Sequence, residues 1–161
     1  MFDSINKMIR YFGEDVRRIN HALKVYGFAT AISNPHMISE QESKIISLAA
    51  ILHDIGIQEA ERKYHSTAGN YQEIEGPPIA RQIMQECGIE APIIDRVCFL
   101  IGNHHSYHRI DGLDFQIMIE ADFLVNIFED SITRESIITI RNKYFKTANG
   151  IKLLDEIYLR S

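Results

Sequence analysis

The sequence predicts an all-α, single-domain helical bundle. Three observations carry that expectation. Apolar residues recur mostly at spacings of three and four, no stretch alternates apolar and polar residues as a half-buried strand must, and glycines, prolines and polar segments punctuate the apolar runs. A chain of 161 residues suits one domain with a substantial core, and it holds no internal repeat or low-complexity tract. Taken in order, a short first helix is expected over 3–12, broken at Gly13. Residues 14–33 then read as a long helix with Ile19, Leu23 and Tyr26 along one apolar stripe. The segment "NPHMIS" is a connector. Ser39 and Glu42 form the Ser-x-x-Glu signature of a capping box ahead of "SKIISLAAILHDIG", and Gly56 is the expected left-handed stop. Residues 64–76, "YHSTAGNYQEIEG", read as the longest loop. A helix is expected to restart at Pro77-Pro78 and end at Gly88, and Pro92 to open another that reaches about Asn103. After a second polar loop, "HHSYHRIDGLD", come an apolar helix, "FQIMIEADFLVNIFED", and two last helices over about 133–145 and 149–159.

Composition narrows the class. Hydrophobic residues make up 45% and charged residues 24%, as in ordinary globular proteins, and a net charge of −5 with interspersed signs gives no footprint for a nucleic-acid polymer. The first twenty residues carry charges every few positions and lack the apolar core of a signal peptide. No apolar run is long enough to span a membrane, so a cytoplasmic location is expected. Cys87 and Cys98 sit among apolar neighbours without zinc-type spacing and read as buried, unpaired thiols.

Against this background a few polar residues are misplaced. His53 and Asp54 end the apolar run "LAAILHDIGI", and Asp122 lies inside "QIMIEADFLVNIF" beside Met118, Ile119, Val125 and Asn126. Glu120, nearby, can belong to a solvated stripe. A carboxylate in the position of Asp122 needs a cation or several donors, with a salt bridge to lysine or arginine as the alternative. His21 shares its helix face with Val25 and Ala29 and so points toward packed surroundings. Adjacent residues on a helix diverge by about 100°, yet His53 and Asp54 can both reach a cation lying off the end of their helix, where exposed carbonyls favour positive charge. With His21 and Asp122 they would supply two nitrogens and two oxygens, a set suited to Mn²⁺, Fe²⁺, Zn²⁺, Mg²⁺, Co²⁺ or Ni²⁺ with positions left for water.

The order of these residues, in "HALKVYGFA", "LAAILHDIG", "IGNHH" and "IEADFLVN", resembles the HD-domain superfamily of metal-dependent phosphohydrolases. "YQEIEGPPIARQIM" and "FKTANGIKLL" are similar to a small stand-alone subgroup, so the likeness covers nearly the whole chain. It implies a helical bundle of the HD-domain type over residues 1–161, with the metal ligands falling on His21, His53, Asp54 and Asp122. The implied chemistry is attack of a metal-activated water on a phosphoester or phosphoanhydride of a small metabolite or nucleotide, with Asp54 counted among the catalytic groups. No "GYP" signature follows "NHH", which gives no support to a cyclic-dinucleotide phosphodiesterase.

Other residues are candidates of a second rank. His104 and His105 can bind phosphate, shuttle protons or ligate a second metal, or else cap a helix end. By the same resemblance Lys24 fits the cationic position before the valine of the family's first motif and would neutralise phosphate, with an ordinary surface lysine as the alternative. Glu75 is a candidate acid/base or an orienter of a ligating histidine, and otherwise a helix cap. Tyr71 and Gln72, from the expected loop, can line the pocket. His36, His65, His108 and Arg81 read as surface residues, and Met84 and Met118 as core. Two further functions compete: a di-iron oxygenase of the same fold, drawing extra ligands from His104, His105 and Glu75, and a non-catalytic regulatory module that binds metal or nucleotide.

Overall fold

A computed structural model describes residues 1–33 and 38–160. The greater part of the expected connector, including His36, lies outside them. Among the described residues every regular element is helical. In order they are α1 (Phe2–Phe12), α2 (Val16–Ile32), α3 (Glu40–Leu52), α4 (Ile57–Tyr64), α5 (Gly69–Glu86), α6 (Ala91–Ile101), a single 3₁₀ turn (Tyr107–Arg109), α7 (Leu113–Glu129), α8 (Arg134–Tyr144) and α9 (Ala148–Tyr158). The all-α bundle expected from the spacing is the observed architecture. No helix among the described residues is long and apolar enough to cross a membrane.

Local chemistry sets several helix boundaries. The Asp15 carboxylate accepts from Arg18 N at the start of α2. Ser39 and Glu42 close the capping box of α3, with Glu42 N donating to Ser39 Oγ at 3.2 Å and Ser39 N donating to Glu42 Oε2 at 2.8 Å. The Thr133 and Thr147 hydroxyls cap α8 and α9 by accepting from Ser136 N and Gly150 N.

Helix α3 runs through the middle, against α2, α6 and α7. Leu48, Ala49, Ala50 and Leu52 are fully buried, which is why this segment is apolar on almost every side. Met8, Phe12, Leu52, Met84, Leu100, Phe115 and Met118 pack in one part of the core. Val25, Ala29, Ile46, Ala50, Ala121 and Leu124 pack in another. α2, α3 and α7 contribute to both, so the helices that carry His21 and Asp122 and the one that ends at His53 are all anchored in both parts of the core.

Four expectations need correction. The 64–76 loop is largely helix: α4 reaches Tyr64, and α5 begins at Gly69 and carries Pro77 and Pro78 in its interior. Interior prolines cost a helix about 3 kcal/mol, and here packing against α4 and α6 outweighs that loss. Gly56 is not a left-handed stop. Its φ of −79° is right-handed, and it precedes α4. Its lack of a side chain serves a backbone crossing, since a Cβ there would lie 2.4 Å from Gly76 N and 2.8 Å from Gln72 O. Cys98 is buried but Cys87 only half-buried, at the end of α5. Glu120, finally, belongs to no solvated stripe: it is fully buried.

Candidate metal centre

Two helices end in the same device. The last carbonyls of a helix have no amide partner within it. At the end of α3, Ala50 O accepts from the Nδ1–H of His53, 2.9 Å away and three residues on. At the end of α6, Ile101 O accepts from the Nδ1–H of His104 at 2.6 Å, again three residues on. The third imidazole, His21 on α2, has its Nδ1 2.9 Å from Glu129 Oε2 on α7. All three partners are acceptors only, which fixes the proton of each neutral ring on Nδ1 and leaves Nε2 as a bare lone pair.

Those lone pairs converge. His21 Nε2 and His53 Nε2 are 3.1 Å apart. Asp122 Oδ1 lies 3.2 Å from the first and 3.5 Å from the second, and Asp54 Oδ2 lies 3.5 Å from each. The other oxygen of Asp54, Oδ1, is 3.3 Å from His104 Nε2, a buried nitrogen with no hydrogen-bond partner. Ligand atoms of His21, His53 and Asp54 all fall within 4.8 Å of one another, and so do those of Asp54, His104 and His105. Two facing lone pairs beside two carboxylates repel unless a cation lies among them. The donor set therefore fits a divalent metal of borderline hardness. His21, His53, Asp54 and Asp122 would hold it, with Asp54 placed to share a second ion with the two later histidines.

The electrostatics agree with this fit. Burial disfavours the charged form of His53, but Asp54 and Asp122 outweigh it and push its pKa up to about 10. Burial opposes protonation of His21 as well, and Asp122 again raises its pKa. The two aspartates shift the other way: the surrounding imidazoles overcome burial and hold both carboxyls below their usual range. In the protein alone, a second proton on His53 and His21 supplies the positive charge that the carboxylates demand.

The cluster opens into a cavity of about 480 Å³. Six acids line it (Asp15, Asp54, Glu61, Asp122, Glu129 and Asp130), with Arg17 and Arg18 on the α2 side and Gln72, Thr67 and His105 opposite. Arg18 is engaged by Glu61 and Asp15, whereas Arg17 is exposed and has no ion-pair partner among the described residues. Gln72 donates to Thr67 O at 2.7 Å, and its buried Oε1 has no partner. His105 lies across Gly69, where a Cβ would come within 2.5 Å of its ring. Loss of solvent around the ring and the neighbouring His104 push its pKa down to about 4.

Sequence-predicted residues thus divide. His21, His53, Asp54, Asp122 and His104 come together, and Gln72 and His105 line the adjoining wall. Glu75 does not join them. Its carboxylate is occupied by Lys63 Nζ at 2.7 Å and Tyr64 OH at 2.9 Å, because α5 turns that face toward α4. Tyr71 stacks on Tyr64 with ring centroids 4.1 Å apart, also outside the cavity lining. Lys24 pairs with Glu129 and so reaches the centre only through the carboxylate that orients His21. Glu129, Asn126 and Arg17 were not anticipated. Asn126 donates to Asp122 Oδ1 at 2.9 Å. A signal existed for them, since Asn126 and Glu129 follow Asp122 by four and seven residues and Arg17 precedes His21 by four, which puts each on a shared helix face.

Comparison with known proteins bears on the same residues. No curated protein matches the chain. The fold is similar to the crystal structure of a predicted HD superfamily hydrolase from an uncultured Thermotogales bacterium, with a TM-score of 0.71 at 20% identity over 99% of this chain and 85% of that one. The family model described as HD domain matches residues 18–149, an interval that holds all four converging metal-ligand candidates. The chain belongs to the HD domain family.

Proposed function

We propose that this protein is a metal-dependent phosphohydrolase that cleaves a phosphoester or phosphoanhydride of a small metabolite or nucleotide. One observation carries the reading: three imidazoles have their Nδ1 protons committed to fixed acceptors while their bare Nε2 atoms gather around Asp54 at the base of a polar cavity. A divalent ion held by His21, His53, Asp54 and Asp122 would supply Lewis acidity, lowering the pKa of water and drawing charge from a phosphoryl oxygen.

The chain's own groups do the rest. Glu129 and the two helix-end carbonyls hold each ring in the ligating tautomer and orientation. Asn126 fixes Asp122 Oδ1. Arg17, on the cavity rim, offers an unpaired guanidinium to an arriving phosphate, and the free Oε1 of Gln72 accepts a hydrogen bond from a water or substrate hydroxyl. Six lining acids repel an anionic substrate, so phosphate binding should itself depend on the ion. The test is hydrolysis of a nucleotide and phosphoester panel by purified protein supplied with Mn²⁺, Co²⁺ or Mg²⁺. Absence of turnover in every condition, with metal shown to be bound, would overturn the reading.

The split of the Asp54 oxygens between two sets of imidazoles favours a two-metal form, and with it a competing di-iron oxidation chemistry. Metal analysis after anaerobic purification separates them: two irons per chain favour oxidation, and redox-inert ions favour hydrolysis. A non-catalytic regulatory module would instead be stabilised by nucleotide without turning it over.

A further inference from the structure

A second cavity, of about 580 Å³, adjoins the centre, and His105 lines both. The two differ sharply in charge. Six carboxylates line the first and none lines the second, whose walls carry Lys143, Lys146 and His108 together with Tyr107, Tyr144 and Gln116. Lys7, Lys24, Lys44 and Lys63 all pair with glutamates, but Lys143 and Lys146 have no ion-pair partner among the described residues. Lys143 lies over the Tyr144 ring at 5.1 Å from its centroid. Tyr107, Phe123 and Tyr144 form an aromatic wall with centroids 4.8 to 5.3 Å apart. Tyr107 and Tyr144 of that cluster give the cavity an apolar side next to the two ammonium groups.

This surface is built, not incidental. Glu120, fully buried on α7, accepts from Lys146 N at 2.6 Å, Thr147 N at 2.9 Å and the Thr147 hydroxyl. Gln116 ties the same carboxylate to Tyr144 O, with both bonds at 2.7 Å. The stretch from Tyr144 to Thr147 is therefore clamped to the helix that carries Asp122. We propose that this cavity binds a second phosphate, so that the protein selects small metabolites phosphorylated at both ends: one phosphate at the metal centre, the other against Lys143 and Lys146. The inference rests on the phosphohydrolase reading for what occupies the metal centre.

Binding of sugar and nucleoside bisphosphates, each beside its matching monophosphate, is measured on the metal-loaded protein by thermal shift and by calorimetric titration, with hydrolysis followed in parallel. The bisphosphate is expected to bind about tenfold more tightly than its monophosphate. The double variant Lys143→Ala, Lys146→Ala is expected to abolish that preference. Both lysines are exposed, so the variant should fold. Lys152→Ala, which removes an exposed lysine outside the cavity lining, should retain it. Equal affinity within every pair, or a preference that survives the double variant, overturns the inference. A preference without turnover overturns only the phosphohydrolase reading, and monophosphate turnover without a preference overturns only the second-phosphate site.

Discussion

Two buried acids stand two residues apart on α7 and are solved in opposite ways. Glu120 receives every hydrogen bond it needs from protein donors: the Gln116 amide, two backbone N–H groups and the Thr147 hydroxyl. Asp122 receives one such donor, Asn126, and otherwise faces imidazole nitrogens whose protons are committed elsewhere. Burial alone does not separate them, since Glu120 is 0% and Asp122 9% exposed. The chemistry of the partners does. An acid satisfied by N–H and O–H groups is architecture, whereas an acid ringed by lone pairs is half of a cation site.

Substitutions should cross along that divide. Asp122→Ala or Asp54→Ala is expected to lower metal content and reduce turnover by about 10³-fold, with the helical fold kept but the metal-free protein less stable, because the imidazoles facing the carboxylate lose their counter-charge. Metal analysis, turnover assays and circular dichroism check this, and activity retained at full level would remove the residue from the site. Glu120→Gln should do the reverse, leaving metal content intact while destabilising the protein by about 2–4 kcal/mol, because the new amide sets an N–H against existing donors. Denaturant melts measure that loss.

A smaller effect is expected one layer out. Glu129→Gln withdraws the carboxylate that orients His21 and pairs with Lys24, and should weaken metal binding by about 10- to 100-fold with little change in stability. Competition against a chelator gives the affinity. If Glu129 only holds Lys24, the affinity will not move.

The mildest probe is pH. In protein stripped with a chelator, His53 has a raised pKa, so its stabilising contribution is fully present below about 6.5, its unfolded value, and is lost as the pH rises toward about 10. Asp54 and Asp122 have lowered pKa values, so their contributions hold above the ordinary carboxylate range near 4 and fade in more acidic solution. Stripped protein should therefore lose melting temperature from neutral to alkaline pH, and metal-loaded protein should lose much less. Thermal melts across that range read the difference, and parallel curves would indicate that the imidazoles do not face a shared charge.

How much of this was legible in the sequence depends on the range of the interactions involved. The capping box at Ser39 and Glu42 was readable because both partners lie within one turn. His53, Asp54 and Asp122 could be flagged because ionisable groups in apolar runs announce a cost. The Gly69–Gly76 portion of α5 was hidden: glycines and polar residues suggest a loop locally, with the helix starting only at Pro77, whereas the close crossing of Gly56 over Gly76 and packing on α4 and α6 hold the segment helical. Glu75 lies away from the cluster for a related reason, since the rotation of α5 turns it to Lys63 and Tyr64. Glu120 misled in the other direction, because its donors lie 26 and 27 residues away.

By itself the sequence determined the helical class, the order of the ligand candidates and the family motif, all of which follow from side-chain period and from the cost of burying charge. Only the tertiary structure decided which nitrogen of each histidine is free, which carboxylate orients His21, and that an acidic cavity and a basic one meet at His105. The partner of His21 and the meeting of the two cavities depend on groups from separate helices arriving close together, which leaves no trace in local spacing. The His53 and His104 contacts, though only three residues long, depend on a ring orientation that spacing does not show.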